Sequence, residues 1–313
     1  VVIAAPAHSG LPTGATAVIC SCRFDAAQGV HLYDITISGG GKFGSDVNFV
    51  NNVREAWLRS EGRIATVAFL DGGDWGAANL GLQITEAGLL SGSKTFVGCG
   101  HEASLILVVG QCDNAPAIAV VDAADLKAGA ISVNTLIDLT KRTAQIDFTG
   151  VAAKAVLTGE HVVAAIRDYR LLGALLTAAE AAGSAARCLA VIVDYLKTRK
   201  QFGKLIGSYQ ALKHPTVDIY CGVEDARSFC YHAASLLDAD SLSHDAEIAC
   251  RMAKVSAGQT MSYAGDRAVQ FHGGIGFTWD CDSTLFIRRG QWSHQVFGDA
   301  IHHRKRLASL LLD

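Results

Sequence analysis

Arg199-Lys200-Gln201-Phe202-Gly203-Lys204-Leu205-Ile206-Gly207-Ser208-Tyr209-Gln210 separates two long helix-forming stretches, and its reading decides what kind of molecule this is. Upstream, residues 161–200 are rich in Ala and Leu, free of proline, and apolar at helical rather than strand period. The small residues Gly173, Ala178, Ala179, Ala181, Ala182, Gly183 and Ala186 would let other helices approach closely. Downstream, the same period predicts helices over 216–237, 245–270 and 299–312, with Pro215 near the start of the first and Ser243 as a candidate cap of the second. Such helices make an antiparallel bundle. Between them, Arg199 can fork onto phosphate oxygens, Phe202 offers an aromatic face, and Gly203 and Gly207 let the chain turn. Those are the needs of a bound dinucleotide. The same residues also read as cations complementing a helix C-terminus, with Phe202 in the core.

A second segment, Gln270-Phe271-His272-Gly273-Gly274-Ile275-Gly276-Phe277-Thr278-Trp279, ends a predicted helix on a glycine cluster that would let a ligand approach the backbone. Gln270 can donate and accept at once. The alternative is a Schellman-like stop followed by a packed aromatic turn. Residues 63–150 have a different rhythm, with short β-prone runs at 64–70, 94–97, 104–109, 117–121, 131–134 and 144–148 between polar or glycine-bearing turns. That pattern predicts an antiparallel sandwich or barrel. A short amphipathic helix is expected over 53–60, ending at Gly62, and residues 30–37 alternate like a strand. The run Gly39-Gly40-Gly41 lacks the frame of a phosphate-binding loop and reads as a turn. The expected organisation is α+β: an N-terminal segment 1–62, a β-domain 63–155 and a helical bundle 156–313.

Composition narrows the function. Half of the 313 residues are hydrophobic and 18% are charged, enough apolar side chain for substantial cores. With 27 Lys plus Arg against 30 Asp plus Glu, the net charge of -3 provides no global basic field for nucleic acid. No uninterrupted apolar run reaches the ~18 residues of a membrane span, and the opening residues lack a signal peptide's basic flank, so a cytoplasmic location is expected. The nine cysteines form no CxxC pair and read as reduced packing residues. Cys20 and Cys22, two apart on an expected strand, would need a second ligand pair to hold a metal. Adjacent histidines such as His302 and His303 diverge on a helix; with Arg304 and Arg306 they read as a basic helix end, and no metal site is expected. His214 and His294 read as structural hydrogen-bonders.

Together, the two glycine-bearing segments resemble the acyl-CoA dehydrogenase family. Residues 199–210 are similar to its RxQFGxxIxxxQ signature, and Gln270 to Gly276 to its QxxGGxG signature. Ser93-Lys94-Thr95-Phe96-Val97 resembles the family's flavin-side strand, and residues 146–151 its exit strand. The resemblance, covering roughly 53–313, implies an FAD enzyme that removes an α-proton from an acyl-CoA thioester while the flavin takes the β-hydride, leaving a trans-2-enoyl-CoA. It implies Arg199 at the pyrophosphate, Phe202 on the adenine side, Gln201 among the cofactor-binding residues, Gln210, Gln270, Gly273 and Gly274 completing the ADP site across a subunit interface, and Phe96 near the isoalloxazine.

The resemblance breaks on the acyl side. The thioester's α-proton is weakly acidic and needs a carboxylate within reach. Where the family has Glu before Gly and Thr, this chain has Phe297-Gly298-Asp299, and the family's alternative position, early in the long helix, falls at Gly173. Phe69 to Asp74 matches the family's TEPxxGSD loop poorly, and the segment before the β-domain is short for the family. One expectation reconciles these features: an α2β2 complex, as in bacterial steroid side-chain degradation, with a related partner subunit supplying the base. The alternatives are a relocated Asp299, Asp280 or Asp282, or a non-catalytic assembly subunit.

Overall fold

A computed structural model of the chain describes residues 18–25, 30–36, 64–75, 80–237 and 242–312. The helix expected over 53–60 and the run of three glycines lie outside them. The chain divides into two compact units, one running to Arg170 and the other formed from Leu171–Asp238 and Leu242–Asp313.

In the first unit, β1 (Val18–Asp25) pairs antiparallel with β2 (Val30–Thr36). Two further sheets follow. The larger takes the order β11-β8-β7-β4-β5, with β3 also on β7; the smaller is β6-β10-β9. Their strands are β3 (Ala65–Ala68), β4 (Gln83–Ile84), β5 (Leu90–Ser91), β6 (Ser93–Gly98), β7 (Leu105–Cys112), β8 (Ala115–Asp122), β9 (Ile131–Asn134), β10 (Thr143–Asp147) and β11 (Ala155–Leu157). The long β7–β8 hairpin is antiparallel, while β3 runs parallel to β7. The period-two pattern does its work here: Ile106 and Val108 of β7 and Ala117, Ala119 and Val121 of β8 turn inward onto Val97, Ala144, Ile146 and Phe148.

One member of this buried set is charged. Lys94 of β6 is fully buried, and its Nζ donates to Asp71 Oδ1 at 2.7 Å and to Phe69 O at 2.9 Å. Burial lowers its pKa, and the Asp71 carboxylate opposes that shift. Asp71 in turn accepts from the backbone N–H groups of Gly81 and Leu82. Thr95 completes the attachment, its N–H donating to Leu70 O at 2.7 Å and its hydroxyl to Gly72 O at 3.1 Å. The stretch 69–74 is therefore tied to β6. Beside it, Trp75 stacks on Phe69 with centroids 5.5 Å apart, and Arg170 donates to Trp75 O. Tyr169 tilts against the same Phe69 ring. These contacts place the first turns of the long helix in the first compact unit, which runs to Arg170.

That helix is α1 (Glu160–Thr198), followed by α2 (Gln210–Ser235), α3 (His244–His272), α4 (Ser283–Gln295) and α5 (Ala300–Leu312). The four expected helices are present, and α4 is an addition. An 18-residue window of α1 reaches a mean hydropathy of 1.4, long and apolar enough to cross a membrane by length and composition, which a count of uninterrupted apolar residues does not show. Ala178, Ala185, Cys188 and Ile192 on its inner face are fully buried within the second unit. Ser243 caps α3, its hydroxyl accepting from Ala246 N at 3.1 Å. α3 presents a nearly continuous face of small residues, Ala246, Ala249, Ala253, Ala257, Ala264 and Ala268, and packs against α2, α4 and α5. At the α3–α4 crossing the backbones meet: a Cβ on Gly265 would lie 2.8 Å from Ile287 Cα, and one on Gly290 would lie 3.2 Å from Met261 O.

Candidate functional site

The segment 199–210 is not a plain helix-to-helix linker. After Arg199 N closes α1 onto Tyr195 O, β12 (Lys200–Gln201) folds back on β13 (Lys204–Leu205) around Phe202 and Gly203. Their φ values, 54° and 79°, are both positive, as a type I′ turn requires. Glycine takes that conformation freely, whereas for phenylalanine it costs on the order of 1 kcal/mol. Phe202 is nevertheless 91% exposed, which excludes the core reading. Tyr209 braces the hairpin, its ring edge-on to Phe202, its hydroxyl donating to Gln201 O, and Lys204 Nζ 4.5 Å above its face. Gly207 is required by packing, because a Cβ there would sit 2.8 Å from Leu196 O. Arg199, Gln201 and Gln210 are exposed, and among the described residues Arg199 has no ion-pair partner.

The second segment ends α3. Gly273 leaves the helix with φ 62° and ψ -139°, its N–H bonded to Gln270 O, and Gly276 N closes onto Gly273 O at 2.8 Å. A Cβ at Gly276 would collide with Val269 O, and the Ser283 hydroxyl donates to Gly276 O at 2.6 Å. Gln270, Gly273 and Gly274 are exposed. α1 and α3 run in the same direction, with Cys188 Sγ donating to Ala264 O and Tyr195 stacked on His272, so both segments lie at one end of the second unit. The C-termini of α1 and α3 lie there together with the N-terminus of α2, so helix dipoles of both signs meet at this end. Its positive side chains are those of the exposed Arg199, Lys200 and Lys204.

Phe96 belongs to the β-unit. β6 carries one residue more than β10 between the pairs Lys94–Ile146 and Val97–Ala144, a bulge that re-aims a side chain. Phe96 sits in it at φ 51° and is 46% exposed.

On the acyl side, the two positions where the family places a base face each other. A Cβ on Gly173 would lie 2.6 Å from Phe297 Cδ1 and closer still to Cε1 and Cζ. The phenyl ring thus occupies the space a side chain at 173 would need. Phe297 itself has φ 59° and Gly298 has φ 101°. Buried His303 holds this turn from behind. Its Nδ1 accepts from Arg251 Nη1 at 3.3 Å, so its Nε2 carries the proton and donates to Phe297 O at 3.0 Å. Arg251 is anchored on Glu247 at 2.5 Å. Burial, with the charges of Lys254, Arg251 and His302, pushes His303 down to about 3.

Lys254, 2% exposed, lies in the same cluster and donates to the α4 carbonyls of Ser293 and His294. Burial lowers it to about 7 against the attraction of Asp299. Asp299 caps α5, accepting from His302 N at 2.7 Å; Asp280 and Asp282 are exposed. Sequence reading placed His303 in a basic helix end, whereas it is buried and turned inward, and it did not single out Lys254. The available signal for Lys254 was a lone lysine among Cys250, Ala253 and Ala257 on the small-residue face of α3.

With this geometry in place, comparison with known proteins is informative. Residues 170–308, nearly coextensive with the second unit, match the family model for the acyl-CoA dehydrogenase C-terminal domain. Acyl-CoA dehydrogenase IpdE2 of Mycolicibacterium smegmatis is 40% identical over 134 residues, covering 43% of this chain and 40% of that protein. The chain thus aligns with less than half of that relative's length. The ChsE4-ChsE5 complex of Mycobacterium tuberculosis contains a chain of similar structure, with TM-score 0.70, 26% identity, and coverage of 82% of this chain and 68% of that one. A steroid ACAD, Tcur3481-Tcur3483, is similar at TM-score 0.70 and 25% identity, covering 83% of this chain and 71% of that one. The signatures at Arg199–Gln210 and Gln270–Gly276, the helical unit around them and these relatives agree: residues 170–308 are a C-terminal domain of the acyl-CoA dehydrogenase family.

Proposed function

We propose that this chain is a subunit of an FAD-dependent acyl-CoA dehydrogenase that converts an acyl-CoA thioester to the trans-2-enoyl-CoA, in a heteromeric, α2β2 complex whose related partner subunit supplies the catalytic carboxylate. The observation that carries this reading is the contrast between an open nucleotide end and a filled base position. Arg199, Phe202, Gln210, Gln270 and the Gly273–Gly274 backbone are exposed at one end of the helical unit, suited to a diphosphate and an adenine. Phe96 stands exposed on the strand that resembles the family's flavin-side strand. By contrast, Phe297 fills the space at Gly173.

In this reading FAD, when bound, accepts the β-hydride. Arg199 neutralises the diphosphate, Phe202 covers the adenine, and Gln201, Gln210 and Gln270 supply hydrogen bonds. The α-proton passes to the partner's carboxylate, because neither Phe297 nor Gly173 can take it. Asp299 is engaged in capping α5 and is not needed as the base. Kinship with a complex and with a steroid enzyme supports a heteromer and a bulky, steroid-derived acyl group.

The test is to produce the chain alone and together with a second acyl-CoA dehydrogenase chain from the same source, measure bound flavin, and follow flavin bleaching by acyl-CoA under anaerobic conditions. Bleaching confined to the complex is expected. Full-rate oxidation by the isolated chain, or a complex that contains no flavin, would defeat the proposal.

A further inference from the structure

In the nucleotide reading two segments must present groups to one ligand, and the contacts that brace each of them, Tyr209 on the hairpin and Ser283 on the glycine turn, do not link the one to the other. The hairpin 199–205 hangs from the end of α1, and the Gly273–Gly276 turn from the end of α3. What joins the two ends is an aromatic stack. Tyr195, one turn before Arg199, lies on His272 with ring centroids 4.2 Å apart and planes 26° from parallel, and its hydroxyl reaches His272 O at 3.4 Å.

The histidine is held independently of the tyrosine. His272 Nδ1 is 2.7 Å from Ala268 O, a group that can only accept, so the proton resides on Nδ1 and the ring is pinned over its own helix. His272 is buried, and the next residue is Gly273, whose φ and ψ of 62° and -139° suit only glycine. The position of the glycine turn is therefore inherited directly from His272. On the other side, Arg199 N bonds Tyr195 O, so the origin of the hairpin is inherited from Tyr195. The stack ties together the residues from which both binding segments spring.

We infer that Tyr195 and His272 are positioning residues that set the distance between the Arg199 guanidinium and the Gly273–Gly276 backbone, so that both reach the same diphosphate. This rests on the nucleotide reading above and adds the element that aligns its two halves. Neither residue needs to touch the ligand. Their effect follows from geometry, since a charge-assisted hydrogen bond lost through misplacement weakens binding by roughly tenfold to a hundredfold.

The experiment is a titration of the full chain, with whatever subunits co-purify, by FAD, reading affinity and dissociation rate together with the melting temperature. His272→Ala and Tyr195→Leu are expected to lower FAD affinity by about tenfold to a hundredfold, mainly through faster release. His272→Phe keeps a flat ring over Tyr195 and should recover most of that loss, which a general loosening of the fold would not. Arg199→Ala separates the two ideas. If it abolishes FAD binding while His272→Ala and Tyr195→Leu bind as wild type, the positioning role is overturned and the nucleotide site stands. If Arg199→Ala binds FAD like the wild type, the nucleotide reading falls and this inference with it. Should His272→Ala fail to fold, Tyr195→Leu and His272→Phe decide the matter by the same criteria.

Discussion

The two ends of the helical unit treat phenylalanine in opposite ways. At the end that carries Arg199 and Gly273, Phe202 takes a positive φ and stands almost wholly in solvent. At the other, Phe297 also takes a positive φ but is pressed onto Gly173, which has no room for a side chain. Strained residues persist where the surrounding structure or a ligand requires them. The exposed ring has little packing to set against its strain, which fits the binding role proposed for it; the packed ring explains its strain by what it fills. The same backbone feature thus signals an open site in one place and a closed one in the other.

The largest expected effect tests the closed end. Gly173→Ala drives a methyl into the Phe297 ring and should destabilise the chain by about 1–3 kcal/mol, read as a lowered melting temperature. Adding Phe297→Ala to the same chain should return part of that loss. Strictly additive losses in the double-mutant cycle would show that the two positions do not compete for one volume.

Behind that ring lie two buried basic groups, and pH sharpens the contrast with the exposed end. His303 is held at about 3 in the folded chain against an ordinary value of 6.5, so its contribution is complete above about 6.5 and is lost as pH falls toward 3. Lys254 is held at about 7 against 10.5, so stability from this group is greatest above 10.5 and declines as pH falls toward 7. The melting temperature of wild type should therefore rise from pH 7 toward 10 relative to Lys254→Met, and an unchanged profile in that variant would remove Lys254 from the account.

The smallest effect belongs to the hairpin tip. Phe202→Asn replaces a strained ring with a residue that tolerates positive φ, so stability should hold or improve by up to about 1 kcal/mol. FAD affinity should fall several-fold for want of the aromatic face. Destabilisation instead would mean that Phe202 packs after all.

Much of this was legible in the chain itself. The Ala-rich period of residues 161–200 gives α1, Ser243 caps α3 as a serine before a helical run should, and the β-prone runs between 94 and 148 become β6 to β10. α4 was not among the expected helices, and its Gly290 owes its place to packing, since a Cβ there would lie 3.2 Å from Met261 O. Pro215 suggested a later start for α2, which begins at Gln210 with the proline inside it. The hairpin within 199–210 was hidden because two residues per strand are too few to show a period.

Local chemistry was enough to determine which residues could meet a dinucleotide, since guanidinium, carboxamide, aromatic ring and glycine carry those capacities wherever they stand. The same chemistry determined that positions 173 and 297 have no acid to offer. That the missing acid is matched by a filled volume, that His303 is turned inward, and that Tyr195 lies on His272 were decided only by tertiary structure. Each depends on groups far apart in sequence sharing one space, and close packing has no signature in a single stretch of chain.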